Sequence, residues 1–121
     1  MSGMSAFAST PQPPYYAVIF TALPTVEGRS DDYARTVDLI RERAEAMPGY
    51  LGLESAGGEA GIEITVSYWA SEEAIVAWKA QLDHRAAQQR GRAEWYERYE
   101  IRVARVERAY GFARATPAAE S

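Results

Sequence analysis

The sequence contains no cysteine, one histidine (His84) and one lysine (Lys79) among its 121 residues. Without cysteine there can be no disulfide, no cysteine–zinc site, no iron–sulfur cluster and no cysteine nucleophile. A single histidine excludes a site built from several histidines of one subunit. Any metal or haem site must therefore use His84, carboxylates, or groups from a second copy of the chain.

Long apolar runs and an excess of positive charge are also missing. No apolar run approaches the roughly 18 residues that a membrane span requires, and the N-terminus lacks the basic and apolar regions of a signal peptide. The net charge of −4 argues against a nucleic-acid partner. Residues 84–121 nevertheless hold eight arginines against five acids, which predicts an anionic ligand or, preferably, pairing with acidic groups. We expect a cytoplasmic protein with no membrane or nucleic-acid partner.

The length predicts a single domain. Residues 1–14 are rich in Ser, Ala and Pro and predict a disordered leader, and residues 113–121 predict a disordered tail. The folded domain is therefore expected over residues 15–112.

Apolar periodicity divides this domain into strands and helices. The first strand is apolar on both alternating faces, whereas the helices show apolar positions three and four residues apart. The predicted elements are a strand at Tyr15–Leu23, a helix from Ser30 to the stop at Pro48-Gly49, strands at Tyr50–Ser55 and Ile62–Trp69, and a helix from Ser71 with further helical turns over Arg85–Arg90.

The last element, Trp95–Tyr110, fits two patterns. Helical spacing relates Trp95, Tyr99 and Val103, whereas alternation of Tyr99, Ile101 and Val103 fits a strand with a bulge after Val103. Because the preceding strands leave a place for a fourth partner, we predict a strand.

This order of elements, β-α-β-β-α-β, predicts a ferredoxin-like α+β fold. Its four-stranded, mainly antiparallel sheet would carry both helices on one face. Since the first strand is apolar on both sides, the other face needs a cover. We predict a homodimer that packs through this open sheet face.

Three motifs resemble those of one protein family. They are Pro48-Gly49-Tyr50, the run Y-W-x-S-x-E-x-x-x-x-W-K beginning at Tyr68, and D-H-R-x-A-Q-x-x-G beginning at Asp83. Together with the element order, they resemble the antibiotic biosynthesis monooxygenase family over roughly residues 15–112. The resemblance implies a dimeric α+β barrel with one pocket per subunit, between the helices and the sheet.

The resemblance leaves three functions open. Some members oxygenate aromatic polyketides without a metal or organic cofactor, and others bind haem and cleave it. We therefore predict a small monooxygenase that oxidises an apolar, aromatic substrate with O₂, without metal or flavin. The alternatives are a haem-binding or haem-degrading dimer, and a non-enzymatic dimer that binds a small ligand.

The candidate site residues lie in the aromatic-rich stretch from Tyr68 to Tyr99. His84 is the candidate general base, since an unperturbed imidazole has a pKa of about 6.5, or the axial ligand if haem binds. Tyr99 is the second candidate catalytic residue. The candidate substrate-binding residues are Trp69, Trp78, Gln88, Arg92, Trp95 and Tyr96. Packing in the core or an interface is the competing role for the aromatic residues, and a solvated polar face for Gln88 and Arg92.

Two residue patterns argue against the haem-degrading branch. Trp78 resembles a tryptophan that faces the pocket there, but the histidine of that branch lies ten residues further on, where this chain has Gln88. The asparagine of its first strand is absent here. Trp78 also belongs to an apolar helical stripe with Ile75 and Leu82, which favours a core position.

Overall fold

The computed structural model describes residues 7–26, 31–57, 61–88 and 95–114. It contains four strands and two helices in the predicted order. They are β1 (Tyr15–Pro24), α1 (Asp31–Glu45), β2 (Tyr50–Gly57), β3 (Glu63–Trp69), α2 (Glu72–Gln88) and β4 (Tyr96–Val106).

The four strands form one sheet in the order β2-β3-β1-β4, and every neighbouring pair is antiparallel. The predicted ferredoxin-like α+β fold is therefore confirmed. The last element is a strand, as topology required, although its helical spacing is equally regular.

The bulge predicted after Val103 is wrong. β4 pairs with β1 without interruption from Val106 to Arg98, and the register shifts only beyond Leu23, where Pro24 lies opposite Tyr96. Val103 and Val106 therefore point to opposite faces of the sheet, because successive side chains of a strand alternate.

Local chemistry fixes the turn that leads into β2 and the start of α2. Gly49 has a φ of +88°, and a Cβ on it would lie 2.7 Å from the Ala74 Cβ. Glycine therefore permits both the turn and the close approach of α2. The hydroxyl of Ser71 accepts a hydrogen bond from the Ala74 amide (3.1 Å), and thereby caps the N-terminus of α2. α2 continues without a break to Gln88, so the further turns predicted over Arg85–Arg90 join it up to that residue, and residues 89 and 90 lie outside the described residues.

Both helices pack on the same side of the sheet, which we call the helix face. Its buried core contains Ala44 from α1, Trp69 from β3, and Ile75 and Trp78 from α2. Tyr16 and Val18 of β1 pack against this core, so the alternate residues Phe20 and Ala22 lie on the helix face too.

The opposite side, the open face, is partly covered by the chain itself. The Ala8 amide donates a hydrogen bond to the Glu54 carboxylate (3.0 Å), and the Thr10 hydroxyl donates to the Tyr15 hydroxyl (3.1 Å). Residues 7–14, which the sequence assigns to the disordered leader, therefore contact the sheet. The outer limits of leader and tail stay a prediction, since residues 1–6 and 115–121 lie outside the described residues.

Neither of the two helices in the described part of the chain is long and apolar enough to cross a membrane.

Candidate functional site

Three aromatic rings meet at the end of the helix face where β1 ends and β4 begins. The ring centroids of Phe20 and Tyr99 are 5.3 Å apart, those of Phe20 and Tyr96 are 5.5 Å apart, and those of Tyr96 and Tyr99 are 5.5 Å apart. Phe20 meets Tyr96 edge to face, as Tyr96 meets Tyr99, whereas Phe20 and Tyr99 are tilted by 34°. We call this triangle the aromatic wall.

The aromatic wall continues along β4 as an apolar surface. Ile101 lies opposite Phe20 and Val103 lies opposite Val18, so both point to the helix face. They are nevertheless 48% and 53% exposed, because α1 packs over β2 and α2 over β3. Among the described residues, Ile101 and Val103 therefore form an exposed apolar surface on the helix side of β4, next to the two tyrosines of the wall. Such a surface suits a planar apolar ring with a polar substituent.

Trp69 and Trp78 lie elsewhere, in the core under the helices. They are 0% and 8% exposed, and their rings stack at 6.0 Å with an interplanar angle of 27°. The Trp69 indole nitrogen donates to the Ser67 hydroxyl (2.9 Å), and the Tyr50 ring meets Trp69 edge to face. We call Tyr50, Trp69 and Trp78 the core stack.

The core stack and the aromatic wall occupy opposite ends of β1. Trp69 lies opposite Tyr16, and Tyr99 lies opposite Ala22, six residues further along the strand. At about 3.4 Å per residue, the two pairs are roughly 20 Å apart. The structure therefore brings Tyr96 and Tyr99 together, and brings Trp69 and Trp78 together, but separates the two sets.

The remaining candidates lie at or beyond the end of α2. His84 and Gln88 belong to the backbone of α2, but their side chains lie outside the described residues, as does the whole of Arg92. Trp95 is half-buried beside the aromatic wall, and its carbonyl accepts a hydrogen bond from the Thr25 amide (2.8 Å). This bond holds the start of β4 against the end of β1.

Three charged groups of β4 near the wall, Arg98, Glu100 and Arg102, lie on the open face, since they pair with Leu23, Thr21 and Ile19. Glu100 accepts hydrogen bonds from Arg98 (3.0 Å) and Arg102 (2.6 Å). The bond from Arg98, and the positive charge of Arg102, hold the pKa of Glu100 below its usual value. The two arginines that flank Glu100 are thus paired within β4.

Phe20 is the site residue that the sequence analysis missed. In the sequence it is one of several apolar residues in a strand that is apolar on both faces, so nothing distinguishes it from its neighbours. Its partnership with Tyr96 and Tyr99 follows from the β1–β4 register, which pairs Phe20 with Ile101. Only a signal for that register would have found it.

The described ranges contain no cluster of side chains that could form a metal centre. No group of three or more His, Asp or Glu residues there could hold a metal ion. His84, the candidate haem ligand, has its side chain outside those ranges.

Comparison with known proteins identifies the class to which this fold and surface belong. Residues 16–90 match the antibiotic biosynthesis monooxygenase family. The chain is 44% identical over 106 residues to YqjZ, an uncharacterized protein of Bacillus subtilis (strain 168), covering 87% of this chain and 90% of YqjZ. The chain therefore belongs to the antibiotic biosynthesis monooxygenase family, as the motifs predicted.

A more distant relative carries a named activity. The chain is 24% identical over 100 residues to the jasmonate monooxygenase of Pyricularia oryzae (strain 70-15 / ATCC MYA-4617 / FGSC 8958). The match covers 83% of this chain but only 41% of that protein. More than half of the fungal enzyme thus has no counterpart here.

Solved structures share the fold at low sequence identity. A protein of Pseudomonas aeruginosa superimposes with a TM-score of 0.59 at 12% identity, covering 83% of this chain and 99% of that one. A heme-degrading protein of Mycobacterium tuberculosis superimposes with a TM-score of 0.51 at 19% identity, covering 83% and 100%. These similarities establish the fold alone.

Proposed function

We propose that this chain is a small monooxygenase that oxidises an apolar aromatic substrate with O₂, without metal or flavin. The aromatic wall is the observation that carries the proposal. It offers three rings and two phenol hydroxyls beside an exposed apolar strand surface, in a chain that belongs to a monooxygenase family. As the sequence predicts, we expect it to act in the cytoplasm.

In this proposal the substrate ring lies against Phe20, Ile101 and Val103. A flat ring gains the offset or edge contacts that aromatic groups prefer with Phe20 and the tyrosines. The hydroxyl of Tyr99 donates a hydrogen bond to an oxygen of the substrate, and the hydroxyl of Tyr96 is a second donor. Trp95, directly before β4, Gln88, at the end of α2, and Arg92, between them in the chain, are the further proposed substrate contacts.

His84 is the proposed general base. An imidazole titrates near neutral pH and can remove the proton of a phenol. The phenolate then donates electrons to O₂. One oxygen atom forms a C–O bond at a ring carbon that loses its hydrogen, and the other leaves as water. The phenol ends as a quinone, so the substrate supplies all the electrons and the protein supplies position and a base.

The core stack has a supporting role in this proposal. Trp69 and Trp78 are buried against each other, so they hold α2 on the sheet and thereby position the helix that carries His84. Their assignment as substrate-binding residues stays a prediction. Tyr99 and the wall are better placed to touch a ligand, since they border exposed apolar surface.

We also propose that the protein is a homodimer through the open face. Leu23 of β1 and Ile64 of β3 are exposed there, and burial of apolar side chains of neighbouring strands favours a sheet-to-sheet contact. Family membership supports the same arrangement.

The base assignment is tested with a dihydroxynaphthalene as a planar phenol. O₂ consumption and quinone absorbance are recorded for the wild type, for His84→Ala, and for Gln81→Ala as a control on the exposed side of the same helix. We expect His84→Ala to lower turnover by roughly 100-fold or more, as loss of a general base does. Equal turnover in all three proteins would exclude His84 as the base.

The same proteins separate the other two functions. Titration with haemin that gives a sharp Soret band, lost in His84→Ala, would support haem binding instead. Binding of the dihydroxynaphthalene at the wall without O₂ consumption by any variant would support a ligand-binding dimer.

A further inference from the structure

Residues 7–14 cross the open face at one end of the sheet. The Ala8 amide donates to one oxygen of the Glu54 carboxylate (3.0 Å), and the Tyr68 hydroxyl donates to the other (2.7 Å). The Thr10 hydroxyl donates to Tyr15 (3.1 Å). The segment is thus attached to β2, through Glu54, and to β1, through Tyr15.

The sheet is shaped for this segment. A Cβ on Gly52, the residue of β2 that lies opposite Tyr68, would be 2.8 Å from the Ala8 Cβ. Only glycine lets Ala8 approach so closely. Under the segment, Tyr15 and Ala17 are buried, and the Tyr15 and Tyr68 rings meet edge to face at 5.8 Å.

The hydrogen bond from Tyr68 to Glu54 persists over a wide pH range. Burial, followed by the hydrogen bond to Glu54, raises the pKa of Tyr68 to about 12. The phenol therefore stays protonated and keeps donating to Glu54 over the whole physiological range. Glu54 is held in place, ready to accept the Ala8 amide.

The other half of the open face has no such cover from residues 7–14. It contains the exposed apolar side chains of Leu23 and Ile64 and, beside them, an open concavity of about 280 Å³. The concavity is lined by Thr21, Ala22, Leu23, Ile62, Arg98, Glu100 and Arg102.

We propose that residues 7–14 form a strap that is fastened by Glu54 and Tyr15 and that confines a second copy of the chain to the uncovered half of the open face. The second part of this proposal rests on the homodimer proposed above. A copy that packs on Leu23 and Ile64 buries the apolar half, whereas the strapped half is already covered by the chain's own residues.

Chymotrypsin tests the strap without reference to the dimer. The enzyme cleaves after Phe7, which is 83% exposed, and the amide of the scissile bond is the same Ala8 amide that donates to Glu54. Phe112 is 91% exposed near the other end of the chain and reports the activity of the protease in the same sample. Mass spectrometry distinguishes the two cleavages.

We expect Glu54→Ala to speed cleavage after Phe7 by about tenfold relative to cleavage after Phe112, since it removes a hydrogen bond to a charged group. Thr10→Val, which alters the strap but not the sheet, should speed it by a smaller factor. Glu42→Ala, on the exposed side of α1, is the matched control and should change nothing. Equal ratios in all four proteins would overturn the strap, and circular dichroism verifies that each is folded.

Sedimentation equilibrium tests the second part. Ile64→Arg, in the uncovered half, should weaken the dimer by at least about tenfold, because it buries an unpaired charge. Ser9→Arg, on the exposed side of the strap, should leave it intact. Equal weakening by both variants would place the strap inside the contact and overturn the confinement. A monomeric wild type would instead overturn the dimer, while the chymotrypsin ratios would still decide on the strap.

Discussion

The two ends of the helix face bear aromatic side chains of similar size in very different surroundings. In the core stack, Trp69 of β3 is fully buried and Trp78 of α2 is nearly so. Both side chains lie in the core between the helices and the sheet. In the aromatic wall, Phe20, Tyr96 and Tyr99 are only half-buried. The difference arises because the helices pack over β2 and β3 and leave β4 exposed.

This contrast separates stability from binding. Rings that contact only other protein atoms contribute through burial and close packing. Rings that border exposed apolar surface can gain a further contact from a ligand. We therefore expect the core stack to control the free energy of unfolding and the aromatic wall to control ligand affinity.

The largest effect is expected in the core stack. Trp69→Ala removes the most deeply buried large side chain and should lower the free energy of unfolding by about 3–5 kcal/mol. Urea unfolding followed by circular dichroism measures it. A loss below about 1 kcal/mol would show that the stack does not support the fold.

A smaller effect, on ligand affinity rather than on the free energy of unfolding, is expected in the aromatic wall. Phe20→Ala should raise the Kd of a dihydroxynaphthalene by about tenfold, since an aromatic pair contributes about 0.5–1.5 kcal/mol beyond its area. Isothermal titration calorimetry gives the Kd. The control is Ile19→Ala, the neighbouring half-buried residue on the open face. If both substitutions weaken binding equally, the wall is not the ligand surface.

The smallest effect is expected in the pH dependence of the free energy of unfolding, through Tyr50 of the core stack. Burial, and then the negative charge of Glu45, raise the pKa of Tyr50 above its ordinary 10.0, while Arg41 opposes them. The neutral phenol is thus favoured by folding, and its stabilising contribution is complete below pH 10 and is lost as the pH rises through the raised value. Tyr50→Phe should therefore lose less stability than the wild type above pH 10, as measured by urea unfolding at pH 8 and above. If both proteins lose the same free energy of unfolding above pH 10, Tyr50 does not contribute to this pH dependence.

The sequence predicted the fold more completely than the site. Alternation along Tyr15–Leu23 and Ile62–Trp69, the Ser71 cap and the Pro48-Gly49 stop report local preferences, and each lies within three residues of the boundary it predicts. Trp95–Tyr110 was ambiguous because spacings of three and four coincide there with alternation. Only the place that the three preceding strands leave for a fourth partner decided for a strand.

The candidate site could be predicted only in part, because aromatic residues look alike in a sequence. Trp69, Trp78, Tyr96 and Tyr99 were all candidate pocket residues, although a helical stripe favoured a core position for Trp78. The register of β1 and the packing of α2 divided them into two sets. Phe20 was missed for the same reason. The segment of residues 7–14 lacks apolar periodicity, so nothing local indicated its contacts with Glu54 and Tyr15.

The absence of cysteine and the single histidine were decided by the sequence alone, and they leave His84 as the one imidazole available for a base or a haem ligand. The family and the order of elements also follow from local motifs and periodicity. The tertiary structure decided which rings are buried, which border open surface, and which half of the open face the chain itself covers. These depend on strand register and on where two helices lie over four strands, and both are set by contacts between residues far apart in the chain.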